Sequence, residues 1–300
     1  PQQNAARVRN QGVELNLNWS NRVGELRYQI GGNMAFVDNK VTKFKGDERT
    51  ITNENLLQEG LPANVLFLLA ADRILQTPAD MEVVQAIIAN APVNAAGQKQ
   101  NPFAAFGTPQ LGDILYKDLN GDGLINNDDK YVVGNGASPR LIYGINLGLQ
   151  WKGFDFACLL QGTGRFKDYW LDDWRTPTPA ALYLINKEVA DGRWVPGRTD
   201  ATYPRLLTST TTINRALSDF WVVDKSYLRV KNIQLGYRLP KAITQKMSIE
   251  GIRVYCSLEN FLTFTNYKGF DPEIRGGNSG IDSFNYPTMK QSTVGLSIDF

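Results

Sequence analysis

The sequence predicts an all-β fold in which antiparallel strands form a segment of a transmembrane β-barrel with long extracellular loops. Three observations lead to this fold class. Apolar and polar residues alternate in seven segments, these segments are nearly ten residues long, and the gaps between them are alternately short and long. Alternation with period two means that the two faces of each strand meet different solvents. Strands of soluble sheets run about 5–6 residues, whereas a tilted strand needs about 9–11 to cross a bilayer.

The seven predicted strands are spread along the whole chain. In the first, GVELNLNWS, one face carries apolar side chains and the other carries Glu14, Asn16 and Asn18. The other six strands are predicted at 26–36, 141–151, 154–162, 226–239, 252–262 and 292–300. Their polar faces are rich in Asn, Gln and Gly rather than in Lys and Glu. Such faces suit a hydrated barrel lumen better than an open protein surface.

The connections predict how the strands are arranged across the membrane. Short links lie at 20–24, at the Lys152-Gly153 turn and at 240–251, and long connections lie at about 39–139, 163–218 and 264–289. Short turns at one rim and long loops at the other are typical of outer-membrane barrels, whose long loops are extracellular. The first connection is too long to be one structureless loop, so it is expected to contain short helices, such as one around 77–90, and an extra hairpin.

Composition excludes several classes of function. The net charge of +2 gives no indication of nucleic-acid binding, and no apolar run is long enough for a transmembrane helix. The chain has no histidine, which excludes Ser-His-Asp catalysis, histidine-ligated zinc and histidine pH switches. The two cysteines, Cys158 and Cys256, fall on apolar strand faces and are predicted to be small hydrophobic residues; a disulfide between them is the alternative.

The segment YKDLNGDGLINNDD (116–129) has the ligand spacing of a calcium loop. Calcium prefers six to eight oxygen ligands on a flexible loop, and a glycine at the sixth position, here Gly123, allows the sharp turn. The alternative is an Asx-rich turn whose carboxylates accept hydrogen bonds from backbone amides without metal. The predicted calcium ligands are the side chains of Asp118, Asn120, Asp122 and Asp129 and the carbonyl of Leu124.

Aromatic residues are concentrated in the second long loop. Their rings could stack on a sugar or grip a peptide side chain in a binding cavity, or contact a protein that covers the barrel. The alternative is packing inside the loop itself, because a large loop needs its own small core. The candidate contact residues are Tyr169, Trp170, Trp174 and Trp194.

The segment NYKGFDPEI (266–274) contains two neighbouring carboxylates, Asp271 and Glu273. The interpretation is that two carboxylates at this spacing on an extended segment point in opposite directions and that Pro272 stiffens the loop. They are expected to point apart, to be a poor acid/base pair, and to have a structural role. No catalytic residue is predicted, and the protein is not expected to be an enzyme.

Several longer blocks resemble the SusC/RagA family of TonB-dependent outer-membrane transporters. These are GDILYKDLNGDGLINNDDKYVVGN with SPRLIYGINLGLQWKGFDFACLLQG, and DFWVVDKSYLRVKNIQLGYRLPK with IRVYCSLENFLTFTNYKGFDPEI. The opening NAARVRNQGVELNLNW and the closing YPTMKQSTVGLSIDF are also similar to blocks of that family. The resemblance covers nearly all of residues 1–300 and implies the carboxyl-terminal third of a 22-stranded barrel.

The resemblance also implies partners and a cellular location. Family members lie in the Gram-negative outer membrane, surrounded by its lipid, and work with a SusD-like surface lipoprotein. They take energy from the TonB-ExbB-ExbD complex to import oligosaccharides or, in some members, peptides. The family's signal sequence, plug and TonB box are not found in these residues. The terminal aromatic, Phe300, resembles the signal that barrel-assembly machinery recognises; the alternative is an ordinary lipid-facing strand end.

Two other classes compete with the transporter. A secreted calcium-binding β-sandwich that binds carbohydrate would bury its apolar strand faces in one core. A surface glycosidase would need a pair of carboxylates at a defined separation, and the sequence offers no convincing pair.

Overall fold

A computed structural model describes residues 6–45, 49–63, 65–134, 138–170, 185, 187–207, 213–269, 271–274 and 287–300. Among them the strands are β1 (Ala6–Val23), β2 (Leu26–Phe44), β3 (Arg49–Thr52), β4 (Asn55–Gln58), β5 (Val65–Leu69), β6 (Ala71–Ile74), β7 (Ile114–Tyr116), β8 (Lys130–Val133), β9 (Leu141–Trp151), β10 (Phe154–Gly164), β11 (Lys167–Tyr169), β12 (Val222–Asp224), β13 (Tyr227–Arg238), β14 (Gly251–Thr265) and β15 (Gln291–Asp299). The helices are α1 (Pro78–Ala89), α2 (Lys187–Gly192) and α3 (Lys241–Thr244), with single 3-10 turns at Asn127–Asp129, Ile213–Arg215, Asp219–Trp221 and Gln245–Met247. None of the helices in these ranges has the length and hydrophobicity that a membrane crossing requires.

The largest sheet contains the seven predicted strands, and all seven predictions are confirmed. Its order is β1-β2-β9-β10-β13-β14-β15, with each strand antiparallel to its neighbours. Because this order is also the chain order, the sheet is an up-and-down meander, the arrangement from which transmembrane barrels are built.

One face of this sheet is apolar across all seven strands. Cross-strand register brings together two rows, one of Trp19, Ile30, Leu147, Cys158, Ile233 and Leu258 and one of Tyr28, Leu149, Phe156, Leu235, Cys256 and Val294. Many of these side chains are exposed: Val254 is 43% accessible, Leu296 60% and Val294 81%. A sandwich would bury this face in a core, so the β-sandwich alternative is wrong. An exposed apolar face of this extent matches the lipid-facing side of a barrel wall.

The opposite face is polar and small. The row directly behind the apolar ones contains Gln29, Gly148, Ala157, Gln234, Ser257 and Thr293. Both cysteines are free and lie on the apolar face, as predicted.

The three short links lie at one rim of the sheet, and two of them are tight turns. In the β9–β10 turn, Lys152 and Gly153 have φ values of 46° and 86°, so the predicted two-residue turn is confirmed. Two consecutive residues with positive φ suit the right-handed twist of a hairpin. The β1–β2 turn uses Gly24 with φ 59°. The link between β13 and β14 contains α3.

Strands β1 and β2 are longer than the alternation predicted. They have 18 and 19 residues, whereas about 9–11 suffice to cross a bilayer. The strand β2 therefore continues to Phe44, past residue 39 where the long connection was expected to begin. It stays extended because it pairs with β1 as far as Phe44. On its other edge, beyond Val37, the backbone of Val41 bonds to residues 60 and 61 instead of to β9.

The first two long connections pack together at the other rim around a common core. Its buried side chains come from both sides of β9 and β10 in sequence, and include Leu66, Leu68, Leu75, Val84, Phe103, Ile114, Tyr116, Ile125, Trp170, Val189, Ile213 and Trp221. We call this assembly the loop unit. The first connection contains the sheet β3-β4-β5-β8 and the pair β6-β7, so it holds more strand than the single extra hairpin expected.

The predicted helix around 77–90 is confirmed as α1. Thr77 caps its amino terminus: the hydroxyl accepts a hydrogen bond from the Asp80 amide, and the Asp80 carboxylate accepts one from the Thr77 amide. Pro78 occupies the first turn, where a missing N–H costs nothing. The inner side of the helix contributes Val84 to the loop unit.

Candidate functional site

The candidate site is the polar face of the sheet together with the loop segments that lie on it. Arg253 on β14 reaches Asp155 on β10 across the intervening strand β13, with Nε to Oδ1 at 2.9 Å and Nη2 to Oδ2 at 2.5 Å. This contact requires Gly236 between them, because a Cβ at Gly236 would lie 2.5 Å from the guanidinium and 2.6 Å from the carboxylate. Because Gly236 has no side chain, the ion pair can cross over β13 and connect the polar faces of β10 and β14.

A buried guanidinium attaches the third long connection to the same face. Arg229 lies on β13 opposite Gln161 and Thr263, which places it on the polar side. Its Nη2 contacts Asp271 at 2.5 Å, its Nη1 contacts Glu273 at 2.6 Å, and its Nε donates to the Thr263 hydroxyl at 2.9 Å. Both Arg229 and Asp271 are almost completely buried. We call this contact between Arg229 and the segment 271–274 the latch.

Two lysines strengthen the latch. Lys231, the extra residue of a β-bulge in β13, contacts both carboxylate oxygens of Glu273 at 2.6 and 2.7 Å. Lys225 is buried and donates to the Ile274 carbonyl at 2.6 Å, while its ammonium lies 3.5 Å from Asp168 of the second connection. The segment 271–274 is thus held against the polar face by three cationic side chains.

The prediction that Asp271 and Glu273 point apart is wrong. The Asp271 carboxylate accepts a hydrogen bond from the Glu273 amide at 2.9 Å, which turns the chain at Pro272, and both carboxylates converge on Arg229. Their predicted structural role agrees with these contacts. Burial alone would raise the pKa of Asp271, but hydrogen bonds from Arg229 and from the Glu273 and Thr288 amides outweigh it and lower that pKa below its ordinary value.

A second ion pair, between a buried carboxylate and a half-buried guanidinium, joins the first two long connections. Arg205 makes a bidentate contact with Asp113, with Nε to Oδ1 at 2.7 Å and Nη2 to Oδ2 at 2.9 Å. Asn214 donates to the same carboxylate at 2.9 Å and accepts from the Ile114 amide at 2.9 Å. The Trp221 indole donates to the Asn214 carbonyl at 2.9 Å. These bonds fix the loop unit as one body at the polar rim.

The structure places three of the four candidate contact aromatics. Tyr169 and Trp170 are 3% and 4% accessible and belong to the core of the loop unit, as the packing alternative predicts. Trp194 is half-buried; its ring lies against Gly112, and its indole N–H has no hydrogen-bond partner among the described residues. Trp174 lies outside the described residues.

In the predicted calcium loop, carboxylates accept hydrogen bonds from backbone amides. Asp118 accepts from Gly121 and Gly123, at 2.6 and 2.8 Å. The buried Asp129 accepts from the Leu119, Asn120 and Asn126 amides at 2.8, 3.3 and 2.9 Å.

The remaining side-chain ligands of that loop bond to each other. The Asn120 amide nitrogen contacts Asp122 at 3.1 Å, and Asp122 also accepts from Leu124. In the part of the chain that the structure describes, no three His, Cys, Asp or Glu side chains form a group that could hold a metal. This geometry fits the Asx-turn alternative, and calcium binding stays a prediction.

Phe300 follows the last residue of β15 and is 87% accessible. It lies on the apolar face of that strand, in line with Val294, Leu296 and Ile298. Both a recognition signal and a lipid-facing strand end are compatible with this position, so its role in assembly stays a prediction.

Sequence reasoning missed the residues that organise this site: Arg229, Arg253, Arg205 and Asp113. For the strand arginines a signal existed, since each is a charged residue at a position that the alternation assigns to the lumen. For the Arg205–Asp113 pair no local signal existed, because the partners are 92 residues apart.

Comparison with known proteins gives a consistent result. No protein-family model matches the chain. It is 30% identical over 206 residues, 65% of its length, to TonB-dependent receptor P3 of Formosa agariphila, and 31% identical over 198 residues to receptor P39 of the same organism. It is 25% identical over 302 aligned residues, 99% of its length, to TonB-dependent receptor SusC of Bacteroides thetaiotaomicron.

The fold matches a solved transporter over the whole chain. The structure of the RagAB peptide transporter superposes with a TM-score of 0.72 at 23% identity, and covers 99% of this chain. The RagAB importer in its closed-closed state gives a TM-score of 0.70. The chain spans 20% of receptor P3, 27% of SusC and 30% of the RagAB chain. With its outward apolar face and polar inner face, the chain is similar in sequence to TonB-dependent receptors, SusC among them, and has the fold of part of the β-barrel wall of the RagAB transporter.

Proposed function

We propose that the complete protein imports nutrients across the outer membrane in a TonB-dependent manner, and that this chain supplies the carboxyl-terminal part of its barrel wall. The observation that carries the proposal is the two-sided sheet, which presents an exposed apolar face and a polar face lined by Asn, Gln and Gly. The similarity to SusC and to TonB-dependent receptors supports it. In this orientation the loop unit and the latch lie at the extracellular mouth.

The chain's own residues would shape the mouth of the pore. The latch holds the segment 271–274 against the inner wall, so this segment narrows the lumen instead of extending outward. The pair Arg205–Asp113 keeps the first and second connections together, so they would move as one body when cargo enters. No bond is made or broken in this role, in keeping with relatives that are receptors and transporters.

We propose that the partners are a SusD-like surface lipoprotein over the loop unit and the TonB-ExbB-ExbD complex at the other side. The solved relative is a two-component RagAB assembly. Trp194 is our candidate for contact with the lipoprotein or with cargo, because part of its ring is accessible at the loop unit.

We propose an oligosaccharide as the cargo, with a peptide as the second candidate because the RagAB relative is a peptide transporter. The test compares strains with and without the gene of the full-length protein, in the presence and absence of TonB. Each strain is offered labelled oligosaccharide mixtures and labelled peptide mixtures. TonB-dependent uptake of the oligosaccharides that is lost with the gene supports the proposal. Uptake of peptides alone would show that the cargo is a peptide. Uptake that is unaffected by the gene would refute import by this protein.

We propose that calcium binds the acidic loop as a structural clasp and takes no part in transport. The Asx-turn geometry leaves the loop ordered without it. Calcium titration of the full-length protein tests this. Asp122→Asn should abolish a saturable calcium signal while Asp128→Asn, an exposed neighbour outside the ligand set, should keep it. Equal signals in both variants would exclude the site.

A further inference from the structure

Four basic side chains form a patch on the outward face, just beyond the apolar rows of β1 and β2. Arg9 lies opposite Lys40 and Arg7 lies opposite Lys43, in two successive rows of the hairpin. Arg9 is four residues from Val13 along the same strand and therefore on the same face as the lipid-facing side chains. All four are exposed. We call these residues the basic patch.

The basic patch is uncompensated. Like charges directly opposite each other on neighbouring strands destabilise a sheet, and here two such pairs are stacked. None of the four makes an ion pair with any residue in the described ranges. The nearest carboxylate of the hairpin, Asp38, is 2.7 Å from Arg140 and is thereby engaged elsewhere. A site of this kind is stabilised by an external anion.

The height of the basic patch fits the anionic layer of a membrane. The apolar rows run from Val23–Leu26 to Val13–Phe36, ten residues along the strand, which correspond to about 23 Å along the membrane normal at a tilt of about 45°. This is close to the roughly 25 Å apolar band of outer-membrane barrels. The patch begins four residues further on, roughly 9 Å beyond the last apolar row, at the level of headgroups.

A groove of about 390 Å³ opens beside the patch. Its lining includes Arg9 and Lys40 together with Thr42, Gly60, Asp38 and Glu59. Of the two carboxylates in the lining, Asp38 is paired with Arg140, and Glu59 keeps its charge while it accepts a hydrogen bond from the Phe44 amide at 3.4 Å. The groove thus gives a concave surface in which two cations are available to one phosphate group.

We propose that the basic patch binds the phosphate groups of lipopolysaccharide in the outer leaflet, with Arg9 and Lys40 as the central pair. The inference rests on the outer-membrane placement of the proposed function and extends it to the lipid that surrounds the barrel. A diffusible anion would bind equally well to the cations at the rim that has the short turns. A lipid-borne phosphate accounts for the position of the cations directly above the apolar rows.

The test uses the full-length protein extracted from outer membranes. Lipopolysaccharide bound per protein is measured by native mass spectrometry and by re-binding after delipidation, for wild type and for Arg9→Gln/Lys40→Gln. The control is Lys241→Gln/Lys246→Gln, which removes the same charge from exposed residues at the other rim. A heat-dependent gel shift verifies that each barrel is folded.

We expect Arg9→Gln/Lys40→Gln to weaken re-binding about 25-fold, since each of the two cations contributes on the order of fivefold in affinity near an anionic surface. The control should bind as wild type does. Equal binding by the variant and wild type would overturn the inference, and so would an equal loss in the control.

Further arms identify the source of the phosphate. Re-binding is repeated with phosphatidylglycerol vesicles and with inorganic phosphate as competitor; a loss specific to phosphatidylglycerol, or full competition by inorganic phosphate, would refute the assignment to lipopolysaccharide. Cell fractionation separates this inference from its premise. A protein found outside the outer membrane would defeat the proposed function, whereas an outer-membrane protein with unchanged lipid binding would defeat only this inference.

Discussion

Arg229 is the residue on which the position of the third connection depends. It is buried with Asp271, and removing one partner of a buried ion pair is strongly destabilising because the other charge remains unpaired. We expect Arg229→Gln to weaken attachment of the segment 271–274 by about 3–5 kcal/mol, enough to release it from the wall.

Limited proteolysis of the full-length protein in outer membranes measures that release. New cleavage within 264–289 is expected in Arg229→Gln. Lys231→Gln is the matched control, because it leaves both Arg229 contacts in place, and it should be cleaved far more slowly. Equal resistance of wild type and Arg229→Gln would show that the latch does not hold the loop.

The pH dependence of the latch follows from Asp271. Its folded pKa is lowered below the unfolded value of about 3.9, so its stabilising contribution is complete above that value and is lost as pH falls through the folded pKa. Hydrogen exchange at 271–274, expressed relative to the intrinsic exchange rate at each pH, should therefore be constant from neutral pH to about pH 4.5 and rise only in stronger acid. A rise already between pH 6 and 5 would contradict this linkage.

Gly236 is required because Arg253 and Asp155 meet over it. We expect Gly236→Ala to displace their ion pair and to lower barrel stability by about 1–3 kcal/mol, the usual cost of overpacking. Gly148→Ala is the control: it also lies on the polar face, and its added methyl would meet its neighbours at 3.8 Å or more. Unfolding in urea, followed by the gel shift, compares the two, and equal midpoints would remove the special role of Gly236.

Among whole elements, the barrel strands could be predicted from the sequence and the loop unit could not. In β9, side chains alternate between lipid and lumen for eleven residues, so the pattern is set by the two solvents and needs no knowledge of the rest of the chain. The end of β2 was missed because its last residues pair with β1 and bond to residues 60 and 61, contacts that no local pattern encodes.

The loop unit depends on contacts between distant segments. Tyr116 donates to the Ile213 carbonyl at 2.6 Å across 97 residues, and Asp113 binds Arg205 across 92. Short apolar runs such as β5 are compatible with either helix or strand, so periodicity gives no partner for them. The latch could not be predicted for the same reason, because Asp271 binds Arg229 across 42 residues.

Trp221 is the central side chain of the loop unit. It is 1% accessible, stacks on Tyr203 and contacts Phe220 edge-to-face. We expect Trp221→Ala to cost about 3–5 kcal/mol within this unit and to expose both the first and the second connections to protease. The barrel sheet should keep its gel shift, because its own contacts are unchanged.

The control for this substitution is Trp19→Ala, which removes an indole that is 61% accessible on the apolar face of β1. It should leave the protease pattern of both connections unaltered. Cleavage restricted to the second connection in Trp221→Ala would contradict the view that the two connections share one core.

The molecule as a whole is a piece of wall with two different environments on its sides. Its apolar face would be in lipid, its polar face and latch in water, and its loop unit above the mouth. Every backbone group of a membrane-spanning sheet must be paired, so the outer edges of β1 and β15 require neighbouring strands of the same barrel. The import that we propose therefore requires the complete protein.

Thiol labelling of the full-length protein in outer membranes tests the central claim most directly. In a background with Cys158 and Cys256 replaced by serine, single cysteines are placed at Leu147, Val254 and Leu296 on one face and at Asn146, Gln234 and Thr293 on the other. A membrane-impermeant maleimide should modify the second set and spare the first, whereas a lipid-soluble reagent should modify the first. Labelling of Leu147→Cys, Val254→Cys and Leu296→Cys by the water-soluble reagent, with the other three protected, would contradict the account.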